Sequence, residues 1–269
     1  MKPVNKEKRE TKEELPFIKF LGTGGARFVV ARQLRASGGV YISAEGKHII
    51  LDPGPGALVR CAASRPPVDV THLDAVILTH AHIDHSNDVN ILIDAMTEGG
   101  LKRRGILFAP EECLEGDKAV ILKYLKGFPE KIVVLKQKEH YAIGDLRFSA
   151  SVRHQHPVET YGILFHLPGC RLSFMVDTRF FPQLLESYKS SDILVMNVVR
   201  YIPHEKADIM HLSMDDVKRI LEAIRPRKAI LTHFGMTMLR AKPWEVAGRL
   251  AEETGIEVIA ASDGLRVDL

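Results

Sequence analysis

The chain has 269 residues, 45% of them hydrophobic, which is enough to bury a substantial core without disulfide staples. Its 37 basic and 34 acidic residues leave a net charge of +3, too balanced to mark a nucleic-acid-binding protein by charge alone. Three cysteines, Cys61, Cys113 and Cys170, lie far apart without paired spacing, which argues against a disulfide frame or thiolate metal site and for a reduced, cytoplasmic setting.

Residues 1–15 carry five cations (Lys2, Lys6, Lys8, Arg9, Lys12) and four glutamates with almost no apolar content, and they read as a solvated tail. Residues 16–269 read as a single domain. No stretch is apolar enough for a secretion signal or a membrane span, so no membrane partner is expected. Short apolar runs alternate with helical patterns, which is the mark of an α/β protein. Strands are expected over Phe17–Leu21, His48–Leu51, Ala75–Leu78, Gly105–Phe108, Lys131–Leu135, Tyr161–Phe165, Leu172–Val176, Ile193–Val199, Ala229–Leu231 and Glu257–Ala260. Helices are expected over Gly56–Ala63, Asn87–Met96, Asp117–Leu125, Met214–Ile224 and Trp244–Glu253. Ser213 and Asp216 have capping-box spacing at the start of the fourth helix. Several apolar runs lead into a reactive side chain: Leu51 into Asp52, Leu78 into His80, Val176 into Asp177, Leu231 into His233. Strands packed side by side would deliver these groups to one sheet edge.

The segment from Thr79 to His85 concentrates chemistry. His80 and His82 point to the same side of an extended chain, because side chains alternate with a period of two. Asp84 and His85 follow as the chain turns toward a helix, within reach of a second ion. Imidazole nitrogen and carboxylate oxygen suit zinc, manganese or iron. His154 and His156, two positions apart, are both candidates for a further ligand. Asp177 taken alone reads as a strand-end or turn residue.

His80, His82, Asp84 and His85 match the HxHxDH signature of the metallo-β-lactamase superfamily. The resemblance runs from Phe17 to the C-terminus. It takes in Gly22-Thr23-Gly24-Gly25, Asp52-Pro53-Gly54, His156, Met175-Val176-Asp177-Thr178, Leu231-Thr232-His233 and Asp263-Gly264. It implies a four-layer αββα sandwich holding two divalent metal ions at one edge of the sheets. His80, His82 and His156 would bind the first ion and Asp84, His85 and His233 the second, with Asp177 bridging both. His156 is preferred to His154 because His156-Pro157-Val158-Glu159-Thr160-Tyr161-Gly162 resembles the family's third motif. The counterpart of Asp52 usually supports a metal-binding histidine. Hydrolysis would proceed by attack of a metal-bound hydroxide.

The superfamily includes β-lactamases, thioesterases, lactonases and phosphodiesterases, so the metal motif leaves the substrate open. His211, 22 positions before His233, resembles a histidine that assists phosphoryl transfer in tRNA 3′-processing ribonucleases and in a small-molecule phosphodiesterase. His211 and Asp84 are therefore the candidate catalytic residues, with His211 either a general acid or an electrostatic stabiliser. His156 and Asp177 are 21 positions apart, and that interval reads as two strands joined at Leu167-Pro168-Gly169, with no room for a tRNA-binding arm. A small phosphodiester or cyclic phosphate is the expected substrate. A nuclease on RNA or DNA is the first alternative, needing a partner or homodimer surface in place of the arm. A lactone, thioester or β-lactam hydrolase is the second, and a non-catalytic metal-binding domain the third. Arg27, Arg32, Arg35 and Arg200 are candidate phosphate holders, Arg35 and Arg200 foremost. No cysteines follow the glycine loop, so no third, structural metal is expected.

Overall fold

A computed structural model describes residues 15–203 and 210–269; the charged tail, apart from Leu15, lies outside the described residues. The chain opens with β1 (Phe17–Phe20), α1 (Ala26–Ala31), β2 (Val40–Ala44), β3 (Lys47–Leu51), α2 (Ala57–Ala63) and β4 (Ala75–Ile77). It continues with α3 (Ile83–Ser86), α4 (Val89–Met96), β5 (Ile106–Ala109), α5 (Glu111–Leu114) and β6 (Lys131–Val134). Four strands follow: β7 (His140–Ile143), β8 (Leu146–Arg153), β9 (Tyr161–Leu167) and β10 (Cys170–Met175). Then come α6 (Gln183–Tyr188), β11 (Ile193–Asn197), α7 (Met214–Ile224) and β12 (Lys228–Thr232). The last elements are α8 (Met236–Arg240), α9 (Pro243–Thr254), β13 (Glu257–Ala260) and β14 (Arg266–Asp268).

The strands form two seven-stranded sheets, ordered β14-β1-β2-β3-β4-β5-β6 and β13-β12-β11-β10-β9-β8-β7. Alternation along each strand decides what it buries. Ile18, Ile42, Ile49 and Ile77 of the first sheet share one apolar cluster with Phe148, Ile163, Phe174 and Val195 of the second, which is the seam between the sheets. Their alternates face outward. Tyr41, Ile50 and Val76 pack with Leu92, Ile93 and Met96 of α4, while Leu194, Met196 and Leu231 pack with Val217, Ile220 and Leu221 of α7. Helix, sheet, sheet, helix is the αββα sandwich.

Not every expected element forms. The helix expected over Asp117–Leu125 is replaced by a turn and a short 3-10 segment at Lys123–Gly127. Ile121 and Leu125 are buried four positions apart, which imitates helical spacing. The backbone instead hooks back, with Val120 N–H donating to Cys113 O at 2.9 Å. The Asn90 side chain bonds Val120 O at 2.8 Å and Leu122 N–H at 2.9 Å, satisfying groups a helix would have paired. The hairpin around Leu167-Pro168-Gly169 forms with Leu167 opposite Cys170. In α7, Ser213 Oγ accepts from Asp216 N–H and the Asp216 carboxylate accepts from Ser213 N–H, a complete capping box. Among the described residues no helix is long and apolar enough to cross a membrane.

Candidate metal centre

The reactive side chains sit where strands of both sheets end. β3 runs into Asp52, β4 into His80, β10 into Asp177 and β12 into His233, all at the carboxyl ends of strands with parallel neighbours. The two halves are stitched together at this edge. Phe234 N–H donates to Thr23 O at 2.8 Å, Gly25 N–H to Phe234 O at 3.2 Å, and Tyr161 N–H to Thr79 O at 3.2 Å.

His80, His82, His156 and Asp177 form one group whose ligand atoms all lie within 4.8 Å of one another; Asp84, His85 and His233 form a second. Asp177 stands between them. Its Oδ2 lies 4.0 Å from His80 Nε2, 3.9 Å from His156 Nε2 and 3.6 Å from His85 Nε2, and its Oδ1 lies 3.5 Å from His233 Nε2. His82 Nδ1 is 3.0 Å from His156 Nε2, and His233 Nε2 is 3.6 Å from Asp84 Oδ2.

The tautomers follow from the partners. Thr79 Oγ1 gives its only proton to Asp52 Oδ2 at 2.6 Å, so at 2.9 Å from His80 Nδ1 it accepts, and the His80 proton is on Nδ1. His80 Nε2 is therefore a bare lone pair, fully buried and, among the described residues, without a partner. His156 Nδ1 likewise donates to Met210 O at 3.2 Å, which leaves its Nε2 lone pair facing His82. A buried orphan acceptor such as His80 Nε2 costs about 1–3 kcal/mol, and His82, His156 and Asp177 each offer a ligand atom within 4.8 Å of one on His80. The donor set of imidazoles and carboxylates therefore fits divalent metal.

Asp177 and the histidines around it set one another's charge. Burial disfavours a proton on His85, but the carboxylates of Asp52 and Asp177 outweigh it and raise that imidazole well above its ordinary range. Burial likewise favours a neutral Asp177, yet His233, His211 and His85 hold the carboxyl well below the usual range. His80, fully buried with His85 beside it, is pushed well down.

Asp52 also falls within 4.8 Å of His80 and His85, but its oxygens are committed. They accept from Thr79 N–H at 2.7 Å, Thr79 Oγ1, and His85 Nδ1 at 2.9 Å, so Asp52 orients His85. His154 is buried behind the site, its Nδ1 donating to Asp177 O at 3.2 Å and its Nε2 facing the Tyr188 hydroxyl at 2.9 Å. His211 lies outside both groups yet beside them, with Nδ1 3.6 Å from Asp177 Oδ2 and its side chain 21% exposed. The arginines are placed differently. Arg35 Nη1 donates to Thr23 Oγ1 at 3.1 Å and Arg200 Nε to Ile202 O at 3.3 Å, so each braces its own loop.

Two residues have positioning roles that the motifs do not reveal. Asn197 Nδ2 donates to Asp177 Oδ1 at 2.9 Å. Its signal is the one shared by the other site residues, an apolar strand closing on a polar side chain. Gly25 is the other: a Cβ there would lie 2.2 Å from the His233 ring, so the glycine loop must lack a side chain to admit that imidazole.

A family model for the beta-lactamase superfamily domain matches residues 47–234, and the chain belongs to that superfamily. It is 31% identical over 261 residues to an uncharacterized protein of Methanocaldococcus jannaschii, covering 94% of each chain. It is 30% identical over 133 residues to the Ribonuclease Z of Methanopyrus kandleri, covering 48% of this chain and 43% of that one. The fold matches the metallo-beta-lactamase fold protein YhfI of Bacillus subtilis at a TM-score of 0.78 and 17% identity, covering 94% and 99% of the two chains. It matches a diphosphatase from the PhnP family at a TM-score of 0.70 and 21% identity, covering 94% and 97%.

Proposed function

We propose that this chain is a dinuclear metal-dependent phosphodiesterase acting on a small phosphodiester or cyclic phosphate. His80, His82 and His156 would hold one ion and Asp84, His85 and His233 the other, with the Asp177 carboxylate shared. Zinc or manganese suits the donor set, and iron is compatible with it. Ions bound there would polarise the phosphoryl oxygens and bring the pKa of water down toward neutrality.

His211 is the observation that carries the phosphodiester reading. Its ring reaches the shared carboxylate while remaining part-exposed, so it can meet a substrate that the ligand histidines only surround. The capping box of α7 fixes the start of the helix two residues on from His211. A phosphodiester that expels an alkoxide needs its leaving oxygen protonated, and a positioned acid contributes typically about 10²–10⁴-fold. The likeness to a PhnP-family diphosphatase supports phosphoryl chemistry. The likeness to a Ribonuclease Z supports it too and keeps RNA as the second reading. The compact β9–β10 hairpin favours the small substrate, because it fills the interval between His156 and Asp177 without projecting an arm.

The test compares His211→Ala with the parent on alkyl and nitrophenyl phosphodiesters. A general acid predicts intact metal content and a loss at least tenfold larger on the alkyl ester, since nitrophenolate leaves without a proton. Equal losses would assign His211 to holding a phosphoryl oxygen instead. An unchanged rate on every phosphodiester removes it from the site and with it this reading. Accurate 3′ processing of precursor tRNA, faster than turnover of small diesters, would promote the nuclease.

A further inference from the structure

A second cavity, about 190 Å³ in volume, shares no residue with the histidine groups. It opens between β1, the end of α2 and the turn before β14. Ile18 and Phe20 of β1 face the seam between the sheets, so Lys19 between them faces the helix-covered side. Lys19 is 8% exposed, and its Nζ donates to Arg65 O at 3.1 Å. Arg60 Nε donates to Leu21 O at 2.9 Å, and Arg65 Nη1 to Ser64 O at 3.0 Å. Three cationic side chains thus line the cavity, anchored by neutral carbonyls, and among the described residues no carboxylate lines it. Burial together with the charges of Arg266 and Arg60 pushes the Lys19 ammonium below its ordinary range.

Burying a cation without a counter-charge is costly, and such groups are ordinarily paired or bound to a ligand. The carbonyl bonds use one face of each group and leave donors free. Arg60 Nη2 lies on the Gly264 side of the cavity, 4.0 Å from where a Cβ on Gly264 would sit. The Ser64 hydroxyl adds a further donor at the rim. A water takes about 30 Å³ in the liquid, so the cavity has room for a polyatomic anion with some solvent. Guanidinium forks match tetrahedral oxyanions bidentately, and an ammonium adds a point charge beneath them.

We propose that the cavity between Lys19, Arg60 and Arg65 is a binding site for a phosphate-class oxyanion, separate from the metal centre. The anion is either free phosphate or the phosphoryl end of a larger ester whose remainder leaves past the exposed Ala63 and Gly264. Both share the same recognition chemistry. The site also adjoins the catalytic edge, because Arg60 holds the carbonyl of Leu21, next to the glycine loop, and Asp263 beside Gly264 accepts from Thr23 N–H and Ala36 N–H.

Calorimetric titration of the full metal-loaded chain with inorganic phosphate and with glycerol phosphate tests this. Saturable binding is expected, weakened at least tenfold in Arg60→Gln and in Lys19→Met and unchanged in Arg219→Gln, a remote arginine stacked on Phe180. Binding of both probes assigns a phosphoryl end, and binding of phosphate alone assigns the free anion. Lys19→Met removes a buried charge that no carboxylate of the described residues pairs, so in phosphate-free buffer it should melt no lower than the parent, which separates lost binding from lost folding. Asp177→Ala, which disables the metal centre, should keep the binding. Loss of binding in Asp177→Ala with retention in Arg60→Gln would place the phosphate at the metals and overturn the proposal. So would an absence of saturable binding in the parent chain.

Discussion

Asp177 is the residue on which the candidate centre turns, and its surroundings fix it from three directions. Asn197 and His233 approach Oδ1, four imidazoles approach Oδ2, and His154 holds the backbone carbonyl. Burial pushes His154 down to about 4, so the ring is neutral, with its proton on Nδ1 toward Asp177 and its Nε2 lone pair engaged by Tyr188. It has no lone pair left for an ion. His154→Ala should therefore keep the parent metal content by plasma emission while lowering stability by about 2 kcal/mol, the cost of orphaned buried partners. His156→Ala should lose metal, because it removes an inward-facing lone pair; the opposite pattern would mean the two histidines have exchanged roles. Their spacing could not separate them, since residues two apart share a side of an extended strand. What separates them is Tyr188, 34 positions away in sequence and brought up by α6. A similar argument applies to Asp52. Asp52→Ala should weaken metal binding about 10–100-fold in chelator competition, by releasing His85 rather than by removing a ligand.

Between residue and fold lies the loop that joins β1 to α1. Gly22 and Gly24 pack against the backbone of Ala36 and Arg35, while Gly25 faces the ring of His233. His233 itself has φ of 58°, a left-handed conformation uncommon for residues other than glycine. Gly25→Ala should displace that imidazole, so metal content should drop and activity fall at least tenfold, with secondary structure by circular dichroism unchanged. Parent-like metal content in Gly25→Ala would show the loop to be incidental. The glycine run is legible in the sequence as part of the superfamily resemblance; its steric purpose is not, because the ring it admits comes from more than two hundred residues later. Elements were missed for similar reasons. β8 carries Ser149 and Ser151 on a buried strand, where His166 and Gly162 satisfy their hydroxyls across the sheet, and this blurs the apolar alternation. The valines of α1, which favour strands, hide a short helix. Strands that end in reactive residues were readable because the apolar run and the polar stop are both local.

At the scale of the whole molecule, alternating strands and helices identify an α/β chain, but neither the order of the strands nor their division into two sheets follows from that pattern. Register depends on partners far away in sequence, such as β14 closing the edge beside β1. The division matters because the candidate ligands come from both halves. His80, His82, Asp84 and His85 follow β4 of the first sheet, whereas His156, Asp177 and His233 follow β8, β10 and β12 of the second. Ions held among them would bind the folded arrangement and not the unfolded chain, and so would clamp one sheet to the other. At a free concentration one hundred times the dissociation constant, one such site adds about 2.7 kcal/mol. In a chain of this size that corresponds to a rise in Tm on the order of 5–10 °C. Exhaustive chelation should lower Tm by that much, and zinc or manganese should restore it. The loss should also be local: hydrogen exchange should quicken at residues 79–86 and 232–236, which meet across the sheets, before it quickens in α9, whose buried residues pack with the second sheet and α7. In His82→Ala the chelator should matter less, because one ligand group is already broken. A Tm that stays fixed while the metal is removed would mean that hydrogen bonds and the apolar seam hold the halves together unaided, with the ions serving chemistry alone.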